Sequence, residues 1–466
     1  MPLLRRASGK HTGDRLIANP LRFITGSFLL IILAGTLLLT LPFASSSGTW
    51  TPLPDALFTA TSATCVTGLI VYDTATYFSV FGQIVIIALI QIGGLGLATI
   101  AAFFFSFNAR KRSWRAAVLA RETTGSETTL TVWRNVRFVI LLTFTVEALF
   151  AAYFIIKLWP IYGSAAIGKG LFHSVSAFCN AGFDLFGDGA AGPFISLATF
   201  YNQHVFLIAT MFLIFAGGLG FPVWYEFLTL RKEKKLSFHS KVVLAATAFM
   251  ILFGALLVFL LERDQGLATI VGDSAGVNAT NAFFQSVTWR TAGFNVIDQA
   301  ALSDSSKWLG VFFMFLGAAP AGTAGGIKLT TFIVVVSVVI GHVRGRDEAR
   351  LSGRHIDRRL AYKAAAIFVL GLAMVILSTF CLSVIERGAL QRGTFTSLDL
   401  LYEVASAFGT VGVTSIGTAK LHVLSRLILT VCMFLGRVGT VAFALTVVKR
   451  DAKDEQVLPE AKILIG

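Results

Sequence analysis

Charged residues are scarce in this sequence, and the usual sequence marks of an enzyme are missing. Asp, Glu, Lys and Arg make up only 14% of the 466 residues, whereas hydrophobic residues make up 55%. This balance excludes an ordinary soluble domain, because such domains carry about 25% charged residues. The chain also has no Gly-x-x-x-x-Gly-Lys-Ser/Thr loop and no Gly-x-Gly-x-x-Gly after a strand. We therefore expect neither an enzyme nor an organic cofactor on this chain.

Cysteine is also rare, and the basic residues are not distributed as in a nucleic-acid-binding protein. Cys65, Cys179, Cys381 and Cys432 lie in or beside apolar segments and show no metal-ligand spacing. The formal net charge is +14, but the basic residues fall in alternate gaps between apolar runs. That distribution is typical of membrane topology. We expect membrane lipids, and no nucleic acid, among the partners.

Long hydrophobic runs recur along the chain, and about 20 apolar residues suffice for a helix to cross a bilayer. The predicted spanning helices are residues 21–43, 78–106, 135–159, 199–229, 242–262, 306–342, 363–386 and 421–448. Between the members of each successive pair lies a stretch too short to span, at residues 53–66, 166–180, 275–289 and 396–409. A short helix that enters the membrane and returns is tolerated where it lines a polar cavity. These four stretches are therefore predicted to be re-entrant helices.

The charges predict the orientation. Of the 39 Lys and Arg residues, 28 fall in five segments: 1–22, 110–137, 231–241, 344–363 and 449–466. Basic segments remain on the cytoplasmic side, so both termini are predicted to be cytoplasmic. The outer connections hold many of the acids: Asp55, Asp73, Asp184, Asp188, Asp273, Asp298, Asp304, Asp399 and Glu403. We expect these acids either to raise the local cation concentration at a pore mouth or to be ordinary solvated loop charges.

Each short stretch ends at a glycine in a similar sequence. The four repeat glycines are Gly68, Gly182, Gly293 and Gly412, at intervals of 114, 111 and 119 residues. The last copy, Thr-Val-Gly, resembles the filter of potassium channels, in which backbone carbonyl oxygens replace the water shell of the ion. A ring of four such loops would make a single-file cation pore. The predicted ion-binding residues are Val66, Thr67, Gly68, Asn180, Ala181, Gly182, Thr291, Ala292, Gly293, Thr410, Val411 and Gly412.

A second glycine signature follows each repeat glycine and is predicted to lie inside the next helix. Its copies are Gly93-Gly94-Leu95-Gly96, Gly217-Gly218-Leu219-Gly220, Gly325-Gly326-Ile327-Lys328 and Gly436-Arg437-Val438-Gly439. The four copies thus agree both at the repeat glycine and at this second signature, which indicates that one module has been duplicated to give four. Close packing of membrane helices is the other explanation for such glycines.

The sixth apolar run is interrupted at residues 317–328, which contain four glycines and one proline. Such a segment cannot form an ordinary helix, and its place after the third repeat glycine predicts a gate across the pore. A static kink is the alternative. Lys328 and Arg437 stand in apolar sequence, where a charge is costly unless it faces water or a partner. The predicted gate residues are Gly317, Gly322, Thr323, Gly325, Gly326, Lys328 and Arg437.

The predicted fold is an all-α polytopic membrane protein. Four covalently linked helix–pore loop–helix modules would surround one central pore with pseudo-fourfold symmetry. The predicted divisions are a cytoplasmic segment 1–19, modules 20–110, 111–230, 231–343 and 344–450, and a cytoplasmic tail 451–466.

The four loops, the interrupted sixth helix and Arg437 together resemble the Trk/Ktr/HKT superfamily of potassium transporters over about residues 20–450. The short polar segment before the first helix is similar to the Ktr-type ion-translocating membrane subunit. The resemblance implies that the repeat glycines form the selectivity filter and that residues 317–328 form the gating loop, which Arg437 faces. Gly68 stands where sodium-selective plant members have Ser, which implies a preference for K+ as the transported ion.

The resemblance also implies partners. Superfamily members form homodimers in the bacterial inner membrane and bind a cytosolic RCK-type nucleotide-binding ring (KtrA-like), which ATP activates and ADP closes. Several are stimulated by Na+, so sodium is a second candidate ion. The segment after the last predicted helix is about 18 residues long. We therefore expect nucleotide control to come from another polypeptide.

Two other function classes are the alternatives to a channel-like pore. Interrupted helices also occur in secondary transporters, so a coupled cation symporter with an occluded midplane site is the main alternative to a channel-like pore. A membrane enzyme or receptor is the third, and no convergent set of His, Cys, Asp and Glu residues supports it. Ion flux measurements distinguish the pore from the symporter, because a symporter moves its ions in fixed stoichiometry.

Overall fold

The structure is a computed structural model that describes residues 20–96, 129–189, 192–233, 235–263, 275–346 and 348–439. The helices are α1 (Pro20–Thr40), α2 (Leu53–Cys65), α3 (Thr74–Tyr77), α4 (Val80–Leu95), α5 (Thr129–Tyr162), α6 (Ala166–Cys179), α7 (His204–Gly218), α8 (Phe221–Glu233), α9 (Phe238–Glu262), α10 (Ala275–Thr288), α11 (Asp304–Phe315), α12 (Leu329–Val343), α13 (Arg358–Ile385), α14 (Arg387–Gln391), α15 (Ser397–Gly409) and α16 (Val423–Val438). Strands β1 (Arg350–Leu351) and β2 (Arg354–His355) pair antiparallel in a small hairpin between α12 and α13. The described chain is thus mostly helical.

The outer helices present apolar side chains to their surroundings, as α1 illustrates. Leu30 and Leu37 on this helix are each 67% exposed, whereas Ile32 and Leu39 point inward and are buried. Water would not tolerate a continuous exposed face of this kind, but lipid hydrocarbon does, because it offers apolar groups the same environment as a protein core. The pattern identifies the outer surface as the membrane-facing surface.

Four helices, which we call the ring helices, correspond to the predicted re-entrant stretches: α2, α6, α10 and α15. Other helices pack against them in a fixed order. α4 packs against both α2 and α6, α7 packs against α6 and α10, and α11 packs against α15. α16 packs against α15 and also against α2, the first ring helix. The ring helices therefore follow one another in chain order, and the last contacts return to the first.

Fewer continuous spans are visible than the sequence predicts. Three helical segments in the described ranges are long and apolar enough to cross a bilayer: Asn135–Cys179, Phe238–Glu262 and Arg358–Ile385. The first of them comprises most of α5 and all of α6. The bent pair His204–Gly218 and Phe221–Leu230 makes a fourth if it counts as one span. The total of eight spanning helices and the module boundaries stay predictions.

The fourth predicted helix, residues 199–229, is wrong as a continuous element. α7 ends at Gly218, and α8 leaves at an angle of 102° to it. Between them Gly220 has a φ of +89°, a conformation that glycine adopts readily and L side chains do not. Pro222 follows at a helix start, where a missing N–H costs nothing. This local pair of residues explains the turn.

Two other predicted helices end early within the described chain. α4 ends at Leu95 and α16 at Val438, and each is followed by a glycine with positive φ, Gly96 at +77° and Gly439 at +95°. The remaining predicted residues, 97–106 and 440–448, lie outside the described residues, as do the predicted terminal segments 1–19 and 451–466. The predicted interruption of the sixth helix is present, between α11 and α12.

Candidate functional site

Each ring helix is followed within three residues by a residue in the left-handed region, which stands two residues before the repeat glycine. Val66, Asn180, Thr291 and Thr410 have φ values of 59°, 60°, 68° and 51°. Non-glycine residues in this left-handed region cost about 1–3 kcal/mol each, and a β-branched residue there is a genuine outlier. Four equivalent residues hold this conformation, so the surrounding structure and not local preference imposes it.

The repeat glycines have positive φ as well, and they meet one another. Their φ values, in chain order, are +97°, +70°, +83° and +100°. A Cβ built on Gly68 would lie 3.1 Å from the Cα of Gly182, and one on Gly182 would lie 2.7 Å from the Cα of Gly293. A Cβ on Gly293 would lie 2.5 Å from the carbonyl oxygen before Gly412, and one on Gly412 would lie 2.9 Å from the Cα of Gly68. The four loops therefore close a ring in chain order.

Two serines that sequence reasoning missed support this turn. The hydroxyls of Ser62 and Ser406, each six residues before a repeat glycine, accept a hydrogen bond from the N–H of Gly68 and Gly412 at 3.1 Å. The repeat in the sequence points to these serines, because Ser176 occupies the same place in the second copy. Only the third copy differs, with Val287. The carbonyl ends of the ring helices, where the helix dipole is negative, lie beside this ring and favour a cation there.

The 317–328 loop contacts the ring at two opposite members. Towards the second copy, the N–H of Thr323 donates to the carbonyl of Gly217 at 3.1 Å, and its hydroxyl donates to the carbonyl of Phe178 at 3.3 Å. Towards the fourth copy, the N–H of Gly326 donates to the carbonyl of Gly436 at 3.2 Å. A Cβ on Gly325 would overlap the Thr410 side chain. Because the second and fourth copies stand across the ring from each other, the loop crosses its base.

The two basic residues of the predicted gate have different contacts. The Arg437 guanidinium donates to the carbonyl of Thr323 in the loop, and to the carbonyls of Gly93 and Gly94 at 2.5 and 3.4 Å. It therefore ties the loop to the end of α4. Lys328 turns back on the loop itself, since its ammonium donates to the carbonyl of Ala324 at 2.5 Å.

The second glycine signature serves close packing in three of its copies. Gly93, Gly217 and Gly436 each lie against the carbonyl oxygen four residues before a repeat glycine, and a Cβ on any of them would overlap that oxygen. These glycines let α4, α7 and α16 approach the ring helices. The prediction that each copy lies inside a helix is wrong for the third, because residues 325–328 lie in the break between α11 and α12, where Gly326 has a φ of +64°.

Several acids expected at a solvated pore mouth are instead buried and bonded. Asp55, Asp73, Asp399 and Glu403 are each less than 9% exposed. The side chain of Asp73 accepts from the N–H groups of residues 75 and 76 and so caps α3. For these four acids the expectation of solvated charge is wrong, because polar residues in short connections look alike in sequence whether they face water or protein. Asp273 lies outside the described residues.

Two of these acids form ion pairs at equivalent places in the repeat. Arg426 pairs with Asp55 at 2.6 Å, and Lys307 pairs with Asp399 at 2.8 Å. Each cation stands 14 residues after a repeat glycine, and each acid stands 13 residues before one. Each pair joins the helix that follows one loop, α16 or α11, to the next ring helix, α2 or α15, and the Arg426–Asp55 pair joins the fourth copy to the first.

Known proteins resemble the chain over almost its whole length. The sequence profile of the TrkH family, described as a cation transport protein, matches residues 10–457. The potassium/sodium uptake protein NtpJ of Enterococcus hirae is 37% identical over 451 residues, which cover 96% of this chain and 97% of that protein. The Ktr system potassium uptake protein B of Bacillus subtilis is 36% identical over 452 residues, with coverage of 96% and 97%.

A solved structure agrees in fold. The crystal structure of the potassium transporter TrkH from Vibrio parahaemolyticus superposes with a TM-score of 0.71 at 17% identity, covering 96% of this chain and 87% of that one. At this identity the superposition concerns the arrangement of helices alone.

Proposed function

The chain belongs to the TrkH family of cation transport proteins, and from that premise we propose that it takes up potassium through a pore ringed by the four repeat glycines. The observation that carries the proposal is the closure of the ring, in which four loops from distant parts of one chain bring their glycine backbones together. Each glycine has a positive φ, a backbone conformation that residues with a side chain rarely adopt, and this conformation sets the direction of the neighbouring carbonyls. Carbonyl oxygens in such a ring replace the hydration shell of a cation.

In this proposal the glycine and the two residues before it in each copy supply the ion-binding carbonyls. NtpJ of Enterococcus hirae and the Ktr protein B of Bacillus subtilis are named for potassium uptake, and NtpJ for sodium as well. K+ is therefore the proposed transported ion and Na+ the second candidate. The four copies differ in side chain at the residue before glycine, with Thr67, Ala181, Ala292 and Val411. A site made by the backbone tolerates this variation.

The 317–328 loop is the proposed gate. It crosses the base of the ring, and three of its contacts are backbone hydrogen bonds to the ends of α7 and α16, which a small movement can break. Arg437 holds Thr323 of the loop to the end of α4 and places a positive charge on the ion's route. Both effects would oppose passage until the loop moves.

The remaining elements of the proposal come from the family. We place the protein in a bacterial inner membrane with both termini cytoplasmic, as a homodimer whose gate is controlled by a cytosolic RCK-type nucleotide-binding ring. The basic segment 344–363, which contains the β1–β2 hairpin, is a surface for such a partner or for anionic lipid headgroups.

A coupled carrier is the second candidate function. The break between α11 and α12 and the 102° bend between α7 and α8 favour it, because discontinuous helices build the occluded sites of secondary transporters. The two functions differ in how ions move. A pore passes K+ passively down its gradient, whereas a symporter requires a second ion in fixed proportion.

The test is ion flux into proteoliposomes that contain the full chain, alongside a variant in which residues 317–328 are shortened. We expect passive flux that prefers K+ to Na+ and that increases when the loop is shortened. Flux that requires a second ion gradient would support the carrier. A shortened variant that folds but still passes no K+ would refute the pore.

A further inference from the structure

Glu403 is a fully buried carboxylate that accepts hydrogen bonds from two hydroxyl groups. It lies on α15, nine residues before Gly412, and is 0% exposed. One carboxylate oxygen accepts from the hydroxyl of Thr414 at 2.6 Å, and the other accepts from the hydroxyl of Thr418 at 2.5 Å. Burial of such a group is costly unless it makes strong hydrogen bonds, so the two hydroxyls are essential to its presence there.

The two threonines lie in the segment that leaves the ring. Thr414 is two residues beyond Gly412, and its hydroxyl also accepts from the N–H of Gly417 at 2.9 Å. The segment therefore folds into a turn whose two ends are attached to one carboxylate. A movement of Thr414 would be transmitted to Gly412 through a single intervening residue, Val413.

A second carboxylate on the same helix strengthens this attachment. Asp399, one turn earlier on α15, accepts from the hydroxyl of Ser415 at 2.9 Å and from the ammonium of Lys307 at 2.8 Å. Asp399 is itself fixed, because it forms a capping box with Thr396 at the start of α15. Three hydroxyls in residues 414–418 are thus held by two acids on α15.

The other copies have no carboxylate at the place of Glu403. Nine residues before their repeat glycines stand Thr59, His173 and Phe284. The Thr59 hydroxyl bonds within its own helix, and His173 pairs with Thr210 on α7 at 3.0 Å. The attachment of the outgoing segment by two carboxylates is therefore a property of the fourth copy.

We propose that Glu403 is a positioning residue for ion selection: through Thr414 and Thr418 it fixes the outgoing segment of the fourth loop, and so the carbonyls around Gly412. The inference rests on the proposed function of the ring as a filter. Discrimination between cations needs ligand positions held to about 0.5 Å, and the fourth loop has this special support. Gln cannot replace Glu403 fully, because its amide offers one acceptor oxygen where two hydroxyl hydrogens need acceptors.

The test measures cation binding and does not require an open gate. The purified full chain is titrated with KCl or NaCl at constant ionic strength, and the rise in unfolding temperature gives an apparent affinity for each ion. Glu403→Gln, Thr414→Val and Thr418→Val are compared with the unmodified chain. Glu386→Gln is the matched control, because Glu386 is a buried acid of the same copy that bonds His422 and Ser425 and does not touch the outgoing segment.

We expect Glu403→Gln and Thr414→Val to lower the ratio of K+ to Na+ affinity by at least about threefold, through weaker K+ binding. Glu386→Gln should leave the ratio unchanged, because one oxygen of Glu386 accepts from both His422 and Ser425 and Gln keeps such an oxygen. An unchanged ratio in the folded Glu403 and Thr414 variants would overturn the role of Glu403. If Glu403→Gln does not fold, the threonine variants decide. If the unmodified chain itself shows no preference for K+, the filter proposal fails, and with it this one.

Discussion

Substitution of Gly68 by alanine tests whether the ring of glycines controls ion selection. A Cβ at this position would lie 2.6 Å from the carbonyl oxygen of Ala181, in the neighbouring loop. Ordinary contact begins at 3.4 Å, so that carbonyl or Gly68 must move by roughly 0.8 Å. This exceeds the tolerance of about 0.5 Å for a preorganised binding site. The φ of +97° adds a strain of about 1–3 kcal/mol.

Gly48 supplies the control for strain alone. It has a φ of +68°, and a Cβ there would meet nothing within 4 Å. Gly48→Ala therefore shares the backbone penalty and disturbs no neighbour. We expect both variants to unfold at lower temperature and only Gly68→Ala to lose selectivity. If the displaced carbonyl costs K+ about 1.4 kcal/mol relative to Na+, the selectivity falls about tenfold.

The assay is K+ and Na+ flux in proteoliposomes, measured in the variant with the shortened 317–328 loop so that a closed gate cannot mask the result. Gly68→Ala and Gly48→Ala are added separately to this background. A Gly68→Ala protein that folds and keeps the K+ to Na+ ratio of the Gly48→Ala protein would refute the role of the ring in selection. Equal loss in both variants would show that general destabilisation is the cause.

Three further changes test other contacts. Arg437→Ala removes charge-assisted hydrogen bonds of about 1.5–3 kcal/mol each, which join the loop to α4. K+ flux should therefore rise at least about tenfold. Unchanged flux would contradict the assignment of the loop as a gate. Lys307→Met leaves Asp399 buried without its cation and should lower the free energy of unfolding by about 3–5 kcal/mol. Adding Asp399→Asn should recover part of this loss. If the effects of the two substitutions simply add in the double variant, the two side chains do not stabilise each other. Gly217→Ala puts a methyl group against the carbonyl of Phe178 and should destabilise the protein by about 1–3 kcal/mol, whereas Gly168→Ala, which meets no atom within 4 Å, should not.

The glycine pattern in the sequence predicted where the loops lie, because positive φ restricts the residue type so strongly that it leaves a visible mark. The four repeat glycines and the interrupted sixth helix could be located for this reason. The side-chain partners could not. Glu403, which the sequence predicts to lie in an outer connection near the pore mouth, is buried and bonded to two threonines. The Arg426–Asp55 pair joins residues 371 positions apart, and nothing in a single sequence links two such residues.

The bend between α7 and α8 shows a second limit. Gly220 and Pro222 are visible in the sequence, but the apolar run continues on both sides of them. Length and hydropathy therefore predicted a single helix. Whether a Gly–Pro pair kinks a helix or ends it depends on the carbonyls that receive the freed N–H groups. Here the carbonyl of Ala321 in the 317–328 loop accepts from the N–H of Phe221 at 3.0 Å.

The seam between the first and fourth copies determines when the protein can finish folding. Its contacts, Gly412 against Gly68 and Arg426 with Asp55, join the two ends of the described chain. During synthesis the first ring helix must wait for the last copy to emerge, and until then the side of Gly68 that faces Gly412 has no neighbour. Long-range closure of this kind is slow and leaves partly assembled chains prone to misassembly. A chain truncated before α16 would keep an open edge, which makes it a natural substrate for membrane quality control.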